Sequence, residues 1–247
     1  MDFYIEDFTE ENYKRLLKIA KQKYSFITYG DIKEDLGSVV IWRHDIDYSV
    51  HRAYKLALIE TELHVKSTFF LYLHSSMYNL LEREITTLTK EIIKLGHNIG
   101  LHFEPAHYNL TIGDTDGLKM YLNYEKKILE NLFETDIEVF SFHNPDAGGW
   151  MAFEDFDVCG MVNTYSRYLK DNYCYCSDSD GYWRYNRLED VLSGDHKKLH
   201  ILLHPEWWTP DKMTPRERVR RCIDGRSKKC YLLYDKNMEN MGRLNVK

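Results

Sequence analysis

Residues 39–49, Val39-Val40-Ile41-Trp42-Arg43-His44-Asp45-Ile46-Asp47-Tyr48-Ser49, form an apolar run that stops at two aspartates one residue apart. The length and β-branched content of residues 38–43 are typical of a strand that is buried on both faces of a parallel sheet. Two carboxylates at one strand end repel each other unless a cation lies beside them. Capping of a following helix is the other interpretation, because Asp is a preferred N-cap residue.

The rest of the chain alternates between strand-like and helical patterns. A helix capped by Thr9 and an extended piece at 26–28 come first. We predict later strands at 67–73, 98–102, 138–143, 173–177 and 199–203, and helices at 51–63, 82–95, 116–132 and 188–192. From Thr214 onward the pattern is helical but interrupted at Gly225. This alternation predicts a parallel sheet with helices outside, either a barrel or an open doubly wound sheet.

The chain length favours a single domain, since 247 residues is usual for one α/β barrel. We expect residues 1–247 to form one barrel domain. Within it, residues 1–37 would add an N-terminal layer at the bottom or side of the barrel. Residues 212–247 would form a basic helical C-terminal extension.

Cysteine usage and hydropathy indicate a cytoplasmic protein. The five cysteines are odd in number and lack metal-type spacing, which is typical of reduced thiols. The acidic N-terminus lacks the features of a secretory signal, and no apolar run approaches the roughly 20 residues that span a bilayer. We therefore expect no transmembrane segment.

The net charge of −6 is unevenly distributed. Residues 212–247 contain eleven Lys or Arg and four Asp or Glu, a balance of +7, which leaves −13 for residues 1–211. Such a segment suits contact with an anionic surface, for instance a membrane or a phosphate-bearing carrier, although a solvated helix face gives the same pattern. A basic tail alone does not indicate nucleic-acid recognition, and we expect none.

Polar residues collect at the C-terminal ends of the predicted strands. They are Asp45, Asp47, His102, His143, Asp178 and His204. In parallel α/β folds these ends face the same way, so residues distant in sequence converge on one mouth. Asp and His without a cysteine cluster suit Zn²⁺ or a similar divalent ion that is held by three protein groups. The pattern therefore predicts a metal site for hydrolysis, in which a carboxylate takes a proton from water and a histidine protonates the leaving group.

Several of these residues lie in motifs that resemble the polysaccharide deacetylases, the NodB homology family of carbohydrate esterase family 4. Arg43-His44-Asp45-Ile46-Asp47 is similar to the first motif of that family, Ser67-Thr68-Phe69-Phe70 to the strand that follows, and Gly96-His97-Asn98-Ile99-Gly100-Leu101-His102 to the second motif except at Asn98. His204 in Leu202-Leu203-His204-Pro205 matches the last motif. The likeness covers roughly residues 9–210. It is greatest to a divergent branch, often found among cell-surface polysaccharide genes, that shares Ser-Phe-His-x-Pro, Ser-Asp-Ser-x-Gly-x-Trp-Arg and His-Pro-Glu-Trp-Trp.

The resemblance implies a distorted (β/α)7-type barrel and a set of roles. Asp45 would be the catalytic base, Asp47 a metal ligand and His204 the general acid. His102 would be a second ligand. The metal would be divalent, with Zn²⁺ expected and Co²⁺, Ni²⁺ or Mn²⁺ as alternatives.

The third metal ligand is open, because the sequence departs from the second motif. That motif has two histidines four residues apart, whereas Ala106 stands four residues after His102 and His107 one further. Five residues of a helix turn through about 500°, which takes His107 away from the face of His102. We favour His143, which ends its own strand, over His107. The arginine of the third motif has no counterpart near His143, and Arg43 or Arg184 would take its place.

Taken together, these features predict a metal-dependent deacetylase, a carbon–nitrogen hydrolase that acts on an N-acylated sugar or carrier-linked glycan in surface polysaccharide synthesis. Asp178, Arg184 and Trp207 are candidates for substrate binding, and Asp178 with Arg184 is also a candidate ion pair. Two alternatives stay open. One is an amidohydrolase of a small non-sugar amide, and the other is an inactive carbohydrate-binding barrel.

Overall fold

The computed structural model of the chain describes residues 3–32 and 37–246. Part of the predicted N-terminal layer, residues 1, 2 and 33–36, and the last residue of the predicted extension lie outside the described residues. The described helices are α1 (Glu10–Lys23), α2 (Val50–Glu62), α3 (Arg83–Lys94), α4 (Thr115–Phe133), α5 (Arg167–Asn172), α6 (Leu188–Ser193) and α7 (Pro215–Asn240). The strands are β1 (Ser25–Ile27), β2 (Val39–Ile46), β3 (Thr68–Tyr72), β4 (Asn98–Phe103), β5 (Val139–Phe142), β6 (Asp157–Val158), β7 (Met161–Asn163), β8 (Cys174–Ser177) and β9 (Lys198–Leu203).

These strands form one curled sheet in the order β6-β7-β5-β4-β3-β2-β9-β8, with β1 beside the first half of β2. All pairings are parallel except that between β6 and β7. The sheet closes only partly, so that the fold is an α/β half-barrel. The predicted distorted α/β barrel is thereby confirmed.

Strand β2 is the centre of this sheet. It pairs with β9 on one side and with β1 and then β3 on the other, and all eight of its residues are buried. Because side chains alternate along a strand, Trp42 packs among the helices while Ile41 and Arg43 face the barrel interior. The strand continues to Ile46, beyond the predicted end, so Asp45 lies within it and Asp47 directly follows it.

The barrel interior contains a buried charge among aromatic rings. The guanidinium of Arg43, which is fully buried, lies 5.4 Å from the ring centre of Phe70 and 5.2 Å from that of Tyr165. Gly100 permits this packing, because a Cβ at that position would lie 2.7 Å from the Phe70 ring. Below them, Nε2 of His200 lies 2.8 Å from the hydroxyl of Tyr29. Burial and then the charge of Arg43 lower the pKa of His200 well below its ordinary value, which keeps the ring neutral.

A second buried polar cluster joins the helices to β2 on the outer face. Oε1 of Glu60, on α2, lies 2.6 Å from Nε2 of His44 and accepts a hydrogen bond from Tyr13, while Oε2 accepts one from Ser67. Nδ1 of His97 lies 3.5 Å from the same carboxylate. Burial alone would raise the pKa of Glu60, but the neighbouring His44 and His97 lower it. The cluster explains how an ionised carboxylate is tolerated here, since each oxygen has a partner.

Two regions differ from the sequence-based expectation. The hairpin of β6 and β7 was not predicted; its turn has Cys159 and Gly160 both at positive φ, the geometry that matches strand twist in two-residue hairpins. The interruption predicted at Gly225 is wrong, because α7 continues through it to Asn240. Within the described residues, no helix combines the length and hydropathy needed to cross a bilayer.

Candidate metal centre and active site

The C-terminal ends of several parallel strands meet at one cleft of about 760 Å³. The cleft is lined by Asp45 and Asp47 of the β2 end, His102 of β4, His143 after β5 and His204 after β9. They come from four separate parts of the chain, and the parallel register brings them to one edge of the sheet.

Three ligand-type atoms form a small triangle at the floor of this cleft. Oδ1 of Asp47 lies 3.1 Å from Nε2 of His102 and 3.5 Å from Nδ1 of His143, and the two nitrogens lie 3.2 Å apart. Ligand atoms held about 2.0–2.1 Å from a tetrahedral Zn²⁺ lie roughly 3.4 Å from one another. Oδ1 of Asp47 is buried and accepts no hydrogen bond from any described residue. The Asp47, His102 and His143 side chains therefore fit one divalent ion in both spacing and donor chemistry.

The pKa shifts of Asp47 and His143 are consistent with the short distances within the triangle. Burial alone would raise the pKa of Asp47, but His102 and His143 lower it well below its ordinary value. Burial alone would lower the pKa of His143, but Asp47 raises it. The carboxylate of Asp47 therefore stays ionised although it is buried.

Neighbouring side chains fix the orientation of both histidines. The hydroxyl of Ser141 lies 2.7 Å from Nδ1 of His102, which leaves Nε2 directed at Asp47. The ring of Tyr72 stacks on His143 at 4.5 Å, and the side-chain amide of Asn144 lies 2.9 Å from Nε2 of that histidine. Such outer contacts set which ring nitrogen is free to bind a metal.

The two aspartates differ in surroundings although they share a strand end. Asp45 is 1% exposed, and its Oδ2 lies 3.4 Å from Nη2 of Arg43 and 3.6 Å from Nδ1 of His102. Nη2 of Arg43 also donates to the hydroxyl of Tyr165, which holds the guanidinium in place. Asp45 therefore faces the cleft from behind the triangle, with a fixed positive charge beside it.

His204 is held by a carboxylate on the side away from the cleft. Nδ1 of His204 lies 2.7 Å from Oδ1 of Asp178, and Nε1 of Trp208 donates to Oδ2. Nε2 of His204 lies 4.0 Å from Oδ2 of Asp47. Burial alone would lower the pKa of His204, but Asp178 and then Asp47 raise it to about 10. The ring is therefore protonated at neutral pH and points a donor at the cleft.

The end of the β2–β3 ladder is held open by a hydroxyl. Ile46 and Leu71 are the last paired residues, and beyond them Tyr78 accepts from the backbone N–H of Tyr72 and donates to the carbonyl of Ile46. Its hydroxyl thus stands between two strand ends where a direct backbone bond would otherwise form. Asp47 leaves the sheet at this point.

The predicted substrate-binding residues occupy different places. Arg184 and Trp207 line the cleft, and Arg184 pairs with Asp180 at 3.5 Å, not with Asp178. Asp178 is fully buried behind His204, where its oxygens accept from the His204 backbone and from Trp208. The structure therefore puts Asp178 in contact with His204 and not on the cleft wall.

The alternative ligand His107 lies elsewhere. It follows β4 on a short turn, Pro105–Tyr108, and its ring stacks on that of His74 at 3.5 Å. Nε2 of His74 in turn lies 2.8 Å from the buried carboxylate of Glu125. His107 is not part of the group around Asp47.

Sequence reasoning missed the residues that support the site. Ser141 could have been found, because it lies on β5 two residues before His143, a spacing that puts both side chains on one side of the extended chain. Tyr72 is beside His102 in the β3–β4 register, which depends on tertiary pairing. Glu206, two residues after His204, is fully buried and its carboxylate has no hydrogen-bond partner among the described residues. Burial and then the charge of Asp47 raise its pKa well above the ordinary value, which keeps it neutral.

No protein-family model matches this chain, and no curated protein matches it. Solved structures do. A pseudoenzyme of carbohydrate esterase family 4 from Bacillus anthracis is 15% identical, with a TM-score of 0.43 over 79% of this chain and 63% of that one. This chain spans just under two thirds of the length of the three pseudoenzyme structures that it matches.

Two further structures are similar at comparable levels. The catalytic domain of a peptidoglycan N-acetylglucosamine deacetylase from Eubacterium rectale is 15% identical, with a TM-score of 0.47 over 79% of this chain and 87% of that one. A family 4 acetyl xylan esterase from Clostridium thermocellum, in complex with a cobalt ion, is 12% identical, with a TM-score of 0.42 over 76% of this chain and 84% of that one. The solved structures similar to this chain thus include members of carbohydrate esterase family 4, the family that its motifs resemble.

Proposed function

We propose that this protein is a metal-dependent deacetylase that removes an acyl group from the nitrogen of an N-acylated sugar or glycan precursor. The observation that carries the proposal is the triangle of Asp47, His102 and His143, whose atoms are 3.1–3.5 Å apart in a cleft. Asp45 and His204 flank it with a carboxylate and a protonated imidazole, the two groups that hydrolysis of an amide needs.

Asp47, His102 and His143 would hold the ion, which we propose to be Zn²⁺. When bound there, a divalent ion supplies Lewis-acid chemistry, because it polarises an amide carbonyl and favours deprotonation of water. Ser141 and Tyr72 keep the two imidazoles in the orientation that this binding requires.

Asp45 would be the general base. Its Oδ1 accepts no hydrogen bond from the described residues and its Oδ2 faces Arg43, so one oxygen is free to take a proton from a water molecule in the cleft. Arg43 would position this carboxylate, because its Nη2 lies 3.4 Å from Oδ2 of Asp45 and is itself held by the hydroxyl of Tyr165. That role corresponds to the arginine stand-in expected from the sequence.

His204 would be the general acid. Asp178 holds its Nδ1, so Nε2 is the nitrogen that donates a proton to the leaving nitrogen of the substrate. A pKa raised to about 10 means that His204 carries this proton at neutral pH.

The cleft favours a sugar substrate. Its walls include the aromatic side chains of Tyr48, Tyr72, Tyr165, Tyr175, Tyr185 and Trp207. Such rings stack on the flat apolar faces of sugars while their polar atoms reach hydroxyl groups. We propose a role in surface polysaccharide synthesis, in the cytoplasm, where the five unpaired cysteines would stay reduced.

The first test is Asp45→Asn, with Asp146→Asn as the control, because Asp146 is an exposed carboxylate that lines the same cleft. We expect Asp45→Asn to bind about one Zn²⁺ per chain, as wild type does, and to lose roughly 10²–10⁴-fold in deacetylation of acetylated amino sugars. Asp146→Asn should keep both properties. Elemental analysis and acetate release measure them. Full activity in Asp45→Asn would refute the assignment of the base.

A substrate panel separates the sugar proposal from its alternative. Acetylated amino sugars and short acetylated glycans should be hydrolysed at least tenfold faster than small cyclic amides at equal concentration. Faster turnover of the cyclic amides would make the protein an amidohydrolase of small molecules. Wild-type protein that binds no Zn²⁺ or Co²⁺ and hydrolyses nothing in either set would be an inactive barrel.

A further inference from the structure

A second concavity of about 680 Å³ lies beside the cleft, between α2, α3 and α7. Tyr48 and Met77 line both spaces, so the two are continuous along one rim. Nothing in the proposed reaction uses this groove. We call it the α7 groove.

The floor of the α7 groove is apolar. Val50 and Tyr54 of α2 and Ile85 and Leu88 of α3 form it, together with Tyr78. Tyr54 and Leu88 are half-buried, so they present hydrocarbon surface to the groove. A floor of this kind suits an aliphatic or isoprenoid segment, because it removes apolar surface from water.

The rim of the groove is cationic. Five Lys or Arg residues line it, namely Arg52, Lys55, Arg221, Arg226 and Lys229, against one carboxylate, that of Glu84. Arg226 and Lys229 are paired with Glu82, and Arg52 with Glu10. Lys55 and Arg221 are exposed, and their side chains have neither a hydrogen bond nor an ion pair with any described residue. Two uncompensated cations above an apolar floor complement a ligand with an anionic head and an apolar tail.

The helix that forms one wall of the groove continues into solvent with apolar side chains. Tyr231, Leu232, Leu233 and Tyr234 of α7 are 70%, 58%, 47% and 53% exposed. These four side chains are consecutive, so they point to different sides of the helix and leave apolar surface exposed around it. The open end of the groove therefore adjoins exposed apolar surface that an apolar chain of a ligand can contact.

We propose that the α7 groove binds the phosphate and the first isoprenoid units of a lipid carrier, so that the glycan attached to that phosphate reaches the neighbouring cleft. The phosphate would lie against Lys55 and Arg221, and the hydrocarbon along Tyr54, Ile85 and Leu88. This proposal rests on the proposed deacetylase function for the identity of the glycan. The apolar floor favours a lipid-linked sugar over a nucleotide-linked one, whose diphosphate has no hydrocarbon tail.

The test measures binding of farnesyl phosphate, a water-soluble isoprenoid phosphate, to the full chain by titration calorimetry. We expect saturable binding to wild type, and at least tenfold weaker binding of farnesol, inorganic phosphate and uridine diphosphate. In Lys55→Ala/Arg221→Ala the Kd for farnesyl phosphate should rise at least tenfold. Lys228→Ala is the matched control, because Lys228 is an exposed cation of α7 that does not line the groove, and it should leave the Kd unchanged.

Each other outcome overturns the proposal in a defined way. Equal binding of inorganic phosphate would mean an anion site without lipid selectivity, and equal binding of uridine diphosphate a nucleotide-linked substrate. An unchanged Kd in the double variant would mean that the groove is not the site. The substitutions remove no hydrogen bond or ion pair of the folded chain, since neither cation has such a partner among the described residues. Lys55→Glu/Arg221→Glu provides a second variant that should abolish binding.

The binding measurement is independent of hydrolysis. Asp45→Asn should bind farnesyl phosphate as wild type does, with or without Zn²⁺. Loss of deacetylase activity across the sugar panel with farnesyl phosphate binding intact would refute the proposed function alone. Activity on sugars without farnesyl phosphate binding would refute the groove alone.

Discussion

At the scale of single residues, the raised pKa of His204 depends on Asp178, a carboxylate that solvent does not reach. Asp178 is fully buried, and the His204 backbone and Trp208 also donate to its two oxygens. These donors satisfy the buried oxygens while Oδ1 also lies 2.7 Å from Nδ1 of His204, which fixes the orientation of the imidazole. Asp178 would therefore act through His204, as a positioning residue.

Asp178→Asn should shift the pH dependence of hydrolysis. In wild type the pKa of His204 is raised to about 10, so the acid is lost only at high pH. A charged hydrogen bond contributes about 1.5–3 kcal/mol, so its loss should move the alkaline limb of kcat/KM down by roughly 1–2 pH units.

The pH profile of kcat/KM measures this shift, with Asp180→Asn as the control, because Asp180 is an exposed acid that pairs with Arg184 and does not contact His204. An alkaline limb that stays in place in Asp178→Asn would show that His204 does not set it.

At the scale of secondary-structure elements, the close approach of β3 and β4 depends on one glycine. The Cβ of an alanine at position 100 would lie 2.7 Å from the Phe70 ring and 3.0 Å from Val139. Since Phe70 packs against Arg43, displacement of its ring would also disturb the charge beside Asp45.

We expect Gly100→Ala to lower the free energy of unfolding by about 1–3 kcal/mol, the usual cost of overpacking a core. Gly113→Ala is the control, because a Cβ there meets no atom within 4 Å and its backbone is not left-handed. Urea unfolding of both variants measures the difference, and equal midpoints would contradict the packing argument.

Elements with a strong hydrophobic period could be predicted from the sequence, and elements without one could not. Strands β2 to β5 and helices α1 to α4 have such periods, and their predicted and observed bounds differ by a few residues. The two- and three-residue strands β6 and β7 are too short for any period. Helix α7 continues through Gly225, since one glycine costs a helix only about 1 kcal/mol, and Arg218 before it and Arg226 after it contact Ile5 and Glu82 of other segments.

At the scale of the whole molecule, we expect acid to destabilise the fold because the barrel interior holds a neutral histidine, His200. His200 is neutral there, with a pKa well below the ordinary 6.5, because burial and Arg43 disfavour its protonation. The unfolded chain binds this proton below about pH 6.5, so folding stability is present above that pH and is lost as pH falls through it.

His200→Gln should therefore make the free energy of unfolding less dependent on pH below about pH 6.5. Wild type should lose about 1.4 kcal/mol per pH unit more than the variant between roughly pH 6 and pH 5. Denaturant unfolding at several pH values measures the two slopes. Parallel slopes would mean that His200 does not carry the acid sensitivity.

The candidate site could be predicted in part, because the strand-end rule needs only the order of strands. It groups Asp47, His102 and His143 without any knowledge of distances, and the structure puts these residues in one triangle. The burial of Asp178 behind His204, the support from Tyr72 and the α7 groove could not be predicted. Each depends on how separate elements pack, which no local pattern of the sequence encodes.

The hydroxyl of Tyr78 has a consequence for the shape of this triangle. It keeps the carbonyl of Ile46 from the backbone N–H of Tyr72, so the ladder between β2 and β3 stops one residue before Asp47. A phenylalanine there would leave both backbone groups without the hydroxyl as a partner, so they would bond to each other and extend the ladder by one residue pair. Asp47 would then be drawn into the sheet and away from His102 and His143. One phenolic oxygen thus sets how far the carboxylate of Asp47, the proposed metal ligand, extends beyond its strand.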